Sequence, residues 1–493
     1  MKSVVEQIFN ISEYYPDKIA LIEGKRQITY AGLKSKILSI NRLLCTLYKL
    51  RSGDRIIIAA NKQLEFVYLY FASHLSGIIV VPIDSETNSD RFNYIVNKTL
   101  PKLIVGFHCR QENCPTVPIS AFEEVICDIN IPFAFPDLES ASDIIFTTGT
   151  TGLPKGVILT HRNIAASVNN INAFIRNSKS DIELLVLPIS HSFGLGRLRC
   201  VLAIGATLIL LGSLVNMKRF YHLIEEFRVS GIAMVPSSWA FLRKMSGLKL
   251  GNYANCLNYI EIGSAPMPLE DKQLLITLFP KTRICMHYGL TEASRSAFME
   301  FHEDSNHLLT VGKPTPNVDI AIMDENGNKL PINCSGEICI QGDSVMKYYW
   351  DEQESTSSFF GNYFRTGDWG LLDFSGYLIL QSRKKELINV GGKKVSPIEV
   401  ETVLLTIPDL QDCACIGIID PNGVLGEVVK AFLVKQQGSH LEIDDIKKYM
   451  SGKLEGYKLP IEYEWISMIP QTISGKKQRL ALKNDIYNKN SDN

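Results

Sequence analysis

The sequence of 493 residues lacks any long uncharged apolar run. The longest, Cys200 to Val215, holds 16 residues and includes Gly205, Thr207, Gly212 and Ser213. A membrane span needs about 20 mostly apolar residues, so this run reads as the end of a buried helix turning into a buried strand. The N-terminus lacks the unbroken apolar stretch of an export signal, because Glu6, Glu13 and Asp17 interrupt it. A cytoplasmic chain without stable membrane insertion is expected. Neither charge is in excess: Lys plus Arg number 51 and Asp plus Glu 52, which leaves no net field to attract nucleic acid or an anionic membrane. Zinc-ligand spacing is missing too. Two close pairs of the 11 cysteines, Cys334 with Cys339 and Cys413 with Cys415, have no histidines nearby, and the cysteines read as small core residues in a reducing compartment.

What is present is an alternation of buried strands and helices. Runs such as Arg55 to Ala60, Gly77 to Ile83 and Ala206 to Leu211 are strand-like, and Leu64 to Ser76 between the first two is helix-like. That order predicts an α/β chain, and the length calls for more than one domain. A cluster of charges followed by paired glycines, Gln381 to Lys394, interrupts the pattern, and two strands and a helix follow it. The expected organisation is a large multi-sheet domain over residues 1–384 and a small, mobile α+β domain over 385–493.

One loop stands out. "TTGTTGLPKGV", Thr147 to Val157, lies between two strand-like runs, and a helical apolar period at Ile164, Val168, Ile171 and Ile175 follows. Glycines at 149, 152 and 156 permit close backbone approach, and exposed amides and hydroxyls form an anion nest. A P-loop needs Gly, four residues, then Gly-Lys and Ser or Thr entering a helix; here Lys155 precedes its glycine and a strand follows. "SGKK" at Ser474 to Lys477 fails the same test, with Pro470 in place of the first glycine and Lys477 in place of the hydroxyl. A phosphotransferase would also need a catalytic stretch such as "HRDxxxxN", and none exists.

The loop in its setting, "SDIIFTTGTTGLPKGVILTHRN", resembles the signature of the acyl-adenylate-forming superfamily, in the pattern of acyl- and aryl-CoA ligases. Seven further segments resemble that family in the same order: "LPISHSFG", "IGSAP", "MHYGLTEAS", "GEICIQGD", "YFRTGDWG", "RKKELINVGGKKVSPIEVE" and "PQTISGKKQRL". The resemblance implies a two-step reaction, in which a carboxylate attacks the α-phosphate of ATP to give acyl-AMP and pyrophosphate, and a thiol then displaces AMP. It implies that Thr147, Thr148, Gly149, Thr150, Thr151, Gly152 and Lys155 hold the outer phosphates. Thr291 takes the α-phosphate and Glu292, with Thr148, takes Mg2+; one carboxylate with phosphate oxygens is normal for that ion. Gly263, Ser264, Ala265 and Pro266 lie along the adenine, Tyr288 stacks on it, and His287 and Gly289 flank it. Asp368 accepts both ribose hydroxyls with Arg383 beside it. Lys476 bridges carboxylate, ribose and α-phosphate, whereas Lys477 reads as a surface lysine. Lys385 is the hinge, and Gly391 and Gly392 line the tunnel for the thiol. A catalytically dead nucleotide sensor would be expected to lack Lys476 or Glu292.

For the acid, the resemblance implies a pocket walled by His191, Phe193, Val235, Ser237, Gly263, Met286 and Gly289. Peptide-synthetase domains carry an aspartate for the α-ammonium where this chain reads "LPISHSFG", and an unpaired ammonium there would be costly. A fatty or aryl acid is therefore expected, not an amino acid. Arg295 is a candidate partner for a second acid on the substrate or a structural ion pair. His287 departs from the family's usual glycine or asparagine. The expected acceptor is free CoA, with the phosphopantetheine of a separate acyl carrier protein as the alternative.

Overall fold

The computed structural model describes residues 1–108, 114–125, 132–147, 154–350, 356–471, 477–479 and 481–483. The chain divides into two compact units, residues 1–320 with 340–364, and residues 321–339 with 365–493.

The first unit is built on two large sheets. In the nine-stranded sheet the strands Arg283–Tyr288, Tyr259–Ile262, Gly231–Met234, Ile182–Leu185, Thr207–Leu210 and Ile19–Glu23 run parallel in that spatial order, with antiparallel strands at both edges. In the seven-stranded sheet Ala141–Thr147, Ile79–Ile83, Arg55–Ala59, Leu103–Val105 and Thr116–Val117 are parallel, and Lys155–Thr160 folds back antiparallel on Ala141–Thr147. Their central strands are Ile-, Leu- and Val-rich and buried on both faces, as parallel strands require. Helix Leu64–Leu75 is buried along its whole length. The run Cys200 to Val215 ends helix Ser192–Ile204 and begins strand Thr207–Leu210, as the sequence predicts. Among the described residues no helix is long and apolar enough to cross a membrane.

Helix Ser192–Ile204 carries two arginines in an otherwise apolar sequence, and both are buried. Residues two apart on a helix point to nearly opposite sides. Arg197 pairs with Glu183 and lies 3.2 Å from Glu261, both on the nine-stranded sheet. Arg199 pairs with Asp143 on the seven-stranded sheet, which also takes Tyr70 Oη at 2.9 Å and His74 Nε2 at 3.0 Å. Removing one partner of such a buried pair typically costs about 3–5 kcal/mol.

The second unit holds the hairpin Ile388–Val390 with Lys393–Val395, a three-stranded sheet of Leu410–Ile419, Glu427–Lys435 and Glu462–Trp465, and helices Pro397–Leu404 and Ile443–Met450. Five cysteines, Cys200, Cys285, Cys339, Cys413 and Cys415, are core residues as expected, but Cys45 and Cys334 are exposed. Burial pushes the Cys200 thiol up to about 11 and Cys339 up to about 12, so neither is a thiolate at neutral pH.

His161, the first residue of helix His161–Ile175, packs edge-on against His74 at 5.1 Å beside the Asp143 pair. Burial, then the His74 charge, lower its pKa from 6.5 to about 3 against an opposing pull from Asp143, with a lesser contribution from Arg199. The unfolded chain therefore takes up this proton near pH 6.5 and the folded chain does not, so the stabilisation is complete above about 6.5 and is lost as pH falls toward 3. At pH 5 the expected loss is about 2 kcal/mol. Urea unfolding of the parent at pH 7.5 and 5 should show a drop of at least that size, and His161→Leu should make it smaller by about 2 kcal/mol. An unchanged slope in the variant would assign the acid sensitivity elsewhere.

Candidate active site

The strands Ala141–Thr147 and Lys155–Thr160 form the hairpin whose neck is Thr147 opposite Lys155. Its continuation into helix His161–Ile175 is fixed by a capping box, with Thr160 Oγ1 accepting from Asn163 N and Asn163 Oδ1 from Thr160 N. Thr148, Gly149, Thr150, Thr151 and Gly152 lie outside the described residues, as does Lys476. Gly156 serves the protein rather than a ligand: a Cβ there would press on Ile144, Phe146 and Trp350.

Glu292 follows strand Arg283–Tyr288 and is buried, with Thr291 half-buried beside it. One carboxylate oxygen accepts from Tyr349 Oη at 2.9 Å, and Thr291 Oγ1 is 3.3 Å from Ser192 Oγ at the start of helix Ser192–Ile204. A buried carboxylate that, among the described residues, accepts from a neutral hydroxyl and stands next to a hydroxyl side chain fits a magnesium ion shared with phosphate oxygens.

The loop from Gly263 to Pro266 leaves strand Tyr259–Ile262, with Ser264 at φ 75°, a left-handed conformation uncommon outside glycine. Ile262 is in register with Met286, and Glu261 with Cys285. Alternation along a strand then separates the predicted residues: Met286 and Tyr288 share one face, while His287 shares the other with Glu261 and Gly263. His287 packs edge-on to Phe193 at 4.6 Å, and a Cβ on Gly263 would overlap its ring. The structure thus groups Phe193, Gly263 and His287, and sets Met286 with Tyr288. His191 is exposed at the N-cap of helix Ser192–Ile204, Val235 caps helix Pro236–Ser246 with Ser237 exposed in its first turn, and a Cβ on Gly289 would strike the backbone of Arg295.

Behind His287 lies a buried cluster. Glu261 Oε1 is 2.8 Å from His287 Nδ1 and 3.2 Å from Arg295 Nε, and Glu261 Oε2 is 3.2 Å from Arg197. Burial alone would raise the Glu261 pKa, but Arg295 and Arg197 more than offset it and hold the carboxylate well below its usual range. His287 is held neutral, its pKa lowered by burial against the opposing pull of Glu261. Arg295 also donates to the Phe193 carbonyl at 3.1 Å and fills the space above Gly196. Of the two roles weighed for Arg295, the structure places it in the structural ion pair.

In the second unit Asp368 and Arg383 face each other across adjacent antiparallel strands, with Arg383 Nε 2.8 Å from Asp368 Oδ1. Lys385 is exposed in the turn Lys384–Glu386. Gly391 and Gly392 form a two-residue hairpin turn with φ 57° and 83°, which glycine accepts without strain. Lys477 is not a free surface lysine. It pairs with Asp412 at 2.9 Å and Glu401 at 3.5 Å and donates to the Cys413 carbonyl, while Arg479 bonds Glu401 at 2.8 Å and Glu386 at 2.7 Å. Its neighbours in sequence gave no hint of this, because Glu401 and Asp412 come from a helix and a strand far along the chain.

Sequence reasoning missed Glu183, Arg197, Arg199, Glu261 and Tyr349. A signal existed for four of them, since lone charges in apolar strands or helices, as in "DIELL", "YIEIG" and "GRLRC", are rarely buried unless paired. Tyr349 carried none.

The family model of the AMP-binding enzymes matches residues 9–350, and that of their C-terminal domain matches 399–476. The chain belongs to the AMP-binding enzyme family. It is 28% identical to an oxalate–CoA ligase of Arabidopsis thaliana over 95% of this chain and 96% of that one, and 29% identical to 4-coumarate-CoA ligase 1 of Narcissus pseudonarcissus over 95% and 91%. Among solved structures it is similar to o-succinylbenzoate CoA synthetase of Bacillus subtilis in complex with its acyl-adenylate intermediate, with a TM-score of 0.85, 25% identity and 97% of each chain covered. The acyl-adenylate-forming fold expected from the motifs, a large α/β part with several sheets and a small C-terminal domain, is the fold observed.

The contact between Gly263 and His287 gives a paired test. Gly263→Ala should lower acid-dependent pyrophosphate release roughly 10- to 100-fold, the cost of overpacking by about 1–3 kcal/mol. Adding His287→Gly should recover most of that loss. Failure of the double variant to recover would show that Gly263 is constrained by something other than this ring.

Proposed function

We propose that this enzyme activates a carboxylic acid with ATP and transfers the acyl group to CoA. In the first step the acid oxygen bonds to the α-phosphorus as the bond to the bridging oxygen breaks, releasing pyrophosphate. In the second the CoA thiolate attacks the acyl carbon, a thioester forms and AMP leaves. The observation that carries the reading is the meeting, in one unit, of Lys155 at the neck of the threonine- and glycine-rich hairpin with Glu292 through Tyr349. A polyanion needs a cation and a metal-binding carboxylate placed together. When bound, magnesium would neutralise phosphate charge and polarise the leaving pyrophosphate. Thr291 and Lys155 would orient phosphates; Asp368 and Arg383 would hold the ribose; Tyr288, Gly289 and the loop Gly263 to Pro266 would hold the adenine.

The family relationship, the CoA ligase names of the relatives, and a similar structure solved both with an acyl-adenylate and with ATP and magnesium support these steps. The names also favour free CoA over a carrier protein as acceptor. For the acid, the wall of Phe193, Gly263 and His287 takes a fatty or aryl chain. Glu261 stands behind that wall already neutralised by two guanidiniums, so it offers nothing to an α-ammonium. A panel of acids assayed for pyrophosphate release should favour aryl and fatty acids well ahead of amino acids; preferred turnover of any α-amino acid would falsify this reading.

The two steps are assigned to two placements of a domain over residues 385–493 against residues 1–384, turning at Lys385. Lys476 serves the first placement and the turn of Gly391 and Gly392 the second. Lys476→Ala should cut adenylation about 100- to 1,000-fold, the usual effect of losing a preorganised donor, while supplied acyl-AMP and CoA are converted near the parent rate. Equal slowing of both halves would sink the assignment. Gly392→Leu should impair only thioester formation. Because φ at Gly392 is 83°, Gly392→Asn, which tolerates that conformation and branches like leucine, separates blockage of the tunnel from turn strain: it should impair thioester formation as Gly392→Leu does, and a parent-like Asn variant would assign the leucine effect to strain.

A further inference from the structure

Tyr349 belongs to none of the residues that handle the nucleotide in the reading above, yet it touches two of them. Its hydroxyl donates to Glu292 Oε1 at 2.9 Å, and Lys155 Nζ lies 5.2 Å from the centroid of its ring. The residue is 7% exposed. Its chain segment is fixed to both partners through the backbone. Strand Tyr348–Tyr349 pairs with the edge of the hairpin, Tyr349 opposite Val157. Met346 N donates to the carbonyl of Glu292 at 2.7 Å, and Val345 bridges to Ala293. Asn163, in the helix that follows the hairpin, donates to the carbonyls of Asp343 at 2.8 Å and Val345 at 2.7 Å.

We infer that Tyr349 is a positioning residue that sets the magnesium-binding carboxylate of Glu292 and the phosphate-binding ammonium of Lys155 on one clip, using its hydroxyl for the first and its ring for the second. The chemistry suits both tasks. A neutral hydroxyl on Oε1 orients the carboxylate without cancelling the charge that would hold a cation. An aromatic face attracts an ammonium through its quadrupole without neutralising its charge. The clip thereby links the hairpin to the carboxylate, two elements more than 130 residues apart in sequence.

The inference rests on the proposed roles of Glu292 and Lys155, and its test keeps the two apart. ATP binding is measured by calorimetry without acid, so that no turnover occurs, once with magnesium and once with EDTA. In the parent, magnesium should tighten ATP binding; if it does not, the proposed role of Glu292 fails. Tyr349→Phe keeps the ring and should lose roughly tenfold of the magnesium-dependent tightening, the effect of one hydrogen bond to a charged group, while binding in EDTA stays at the parent value. Tyr349→Leu removes the ring as well and should also weaken binding in EDTA, roughly threefold. Since the hydroxyl acts through Glu292, Tyr349→Phe should add nothing in a Glu292→Gln background. Equal weakening with and without magnesium in Tyr349→Phe, parent-like binding in both conditions, or multiplicative effects in the double variant would each overturn the inference.

Discussion

The arrangement of the large unit depends on two buried arginines two residues apart on one helix. Arg197 and Arg199 leave helix Ser192–Ile204 on nearly opposite sides and fasten it to carboxylates of two different sheets, Glu183 and Glu261 on one and Asp143 on the other. A guanidinium cannot be buried without partners, so the two sheets have to present those carboxylates at fixed places. His191 caps that helix and Phe193 lies in its first turn, so the charge pairs also fix the place of two residues proposed to wall the acid pocket.

The same pairing logic reaches the site itself. Glu261 is shared by Arg197, Arg295 and His287. Arg295, held there, fills the space above Gly196 and donates to the Phe193 carbonyl, and His287 fills the space in front of Gly263. Gly196 and Gly263 are therefore dictated by what lies against them. Asp143 plays the matching part on the other sheet. It lies four residues before Thr147, on the strand that leads into the hairpin proposed to bind phosphate, and is held by Arg199, Tyr70 and His74. The root of the hairpin is thus rigid where its threonines begin.

The second unit uses ion pairs in a similar way. Glu401 collects Lys477 and Arg479, Arg479 also binds Glu386, and Glu386 follows Lys385 directly. Lys477 and Arg479, just after Lys476 in sequence, are thereby tied by charge pairs to the turn proposed as the hinge.

Much of this was legible in order. The alternation of apolar runs determined an α/β chain, and the threonine- and glycine-rich loop with the segments after it determined the family, because phosphate binding needs small, hydroxylated and flexible residues at fixed spacing whatever the fold around them. Glu292, Asp368 and the glycines 391 and 392 were named only through the family resemblance of the segments that hold them, and their roles remain proposals. Only the tertiary structure decided which residues stand together. Alternation on one strand put His287 with Gly263 and Phe193 and set Met286 apart with Tyr288. Lys477 became a paired, largely buried lysine because Glu401 and Asp412 arrive from distant segments. Tyr349 joined Lys155 to Glu292 because a two-residue strand happens to close the edge of a sheet. Such contacts depend on register and on chain segments far apart in sequence, and no local pattern of residues encodes them.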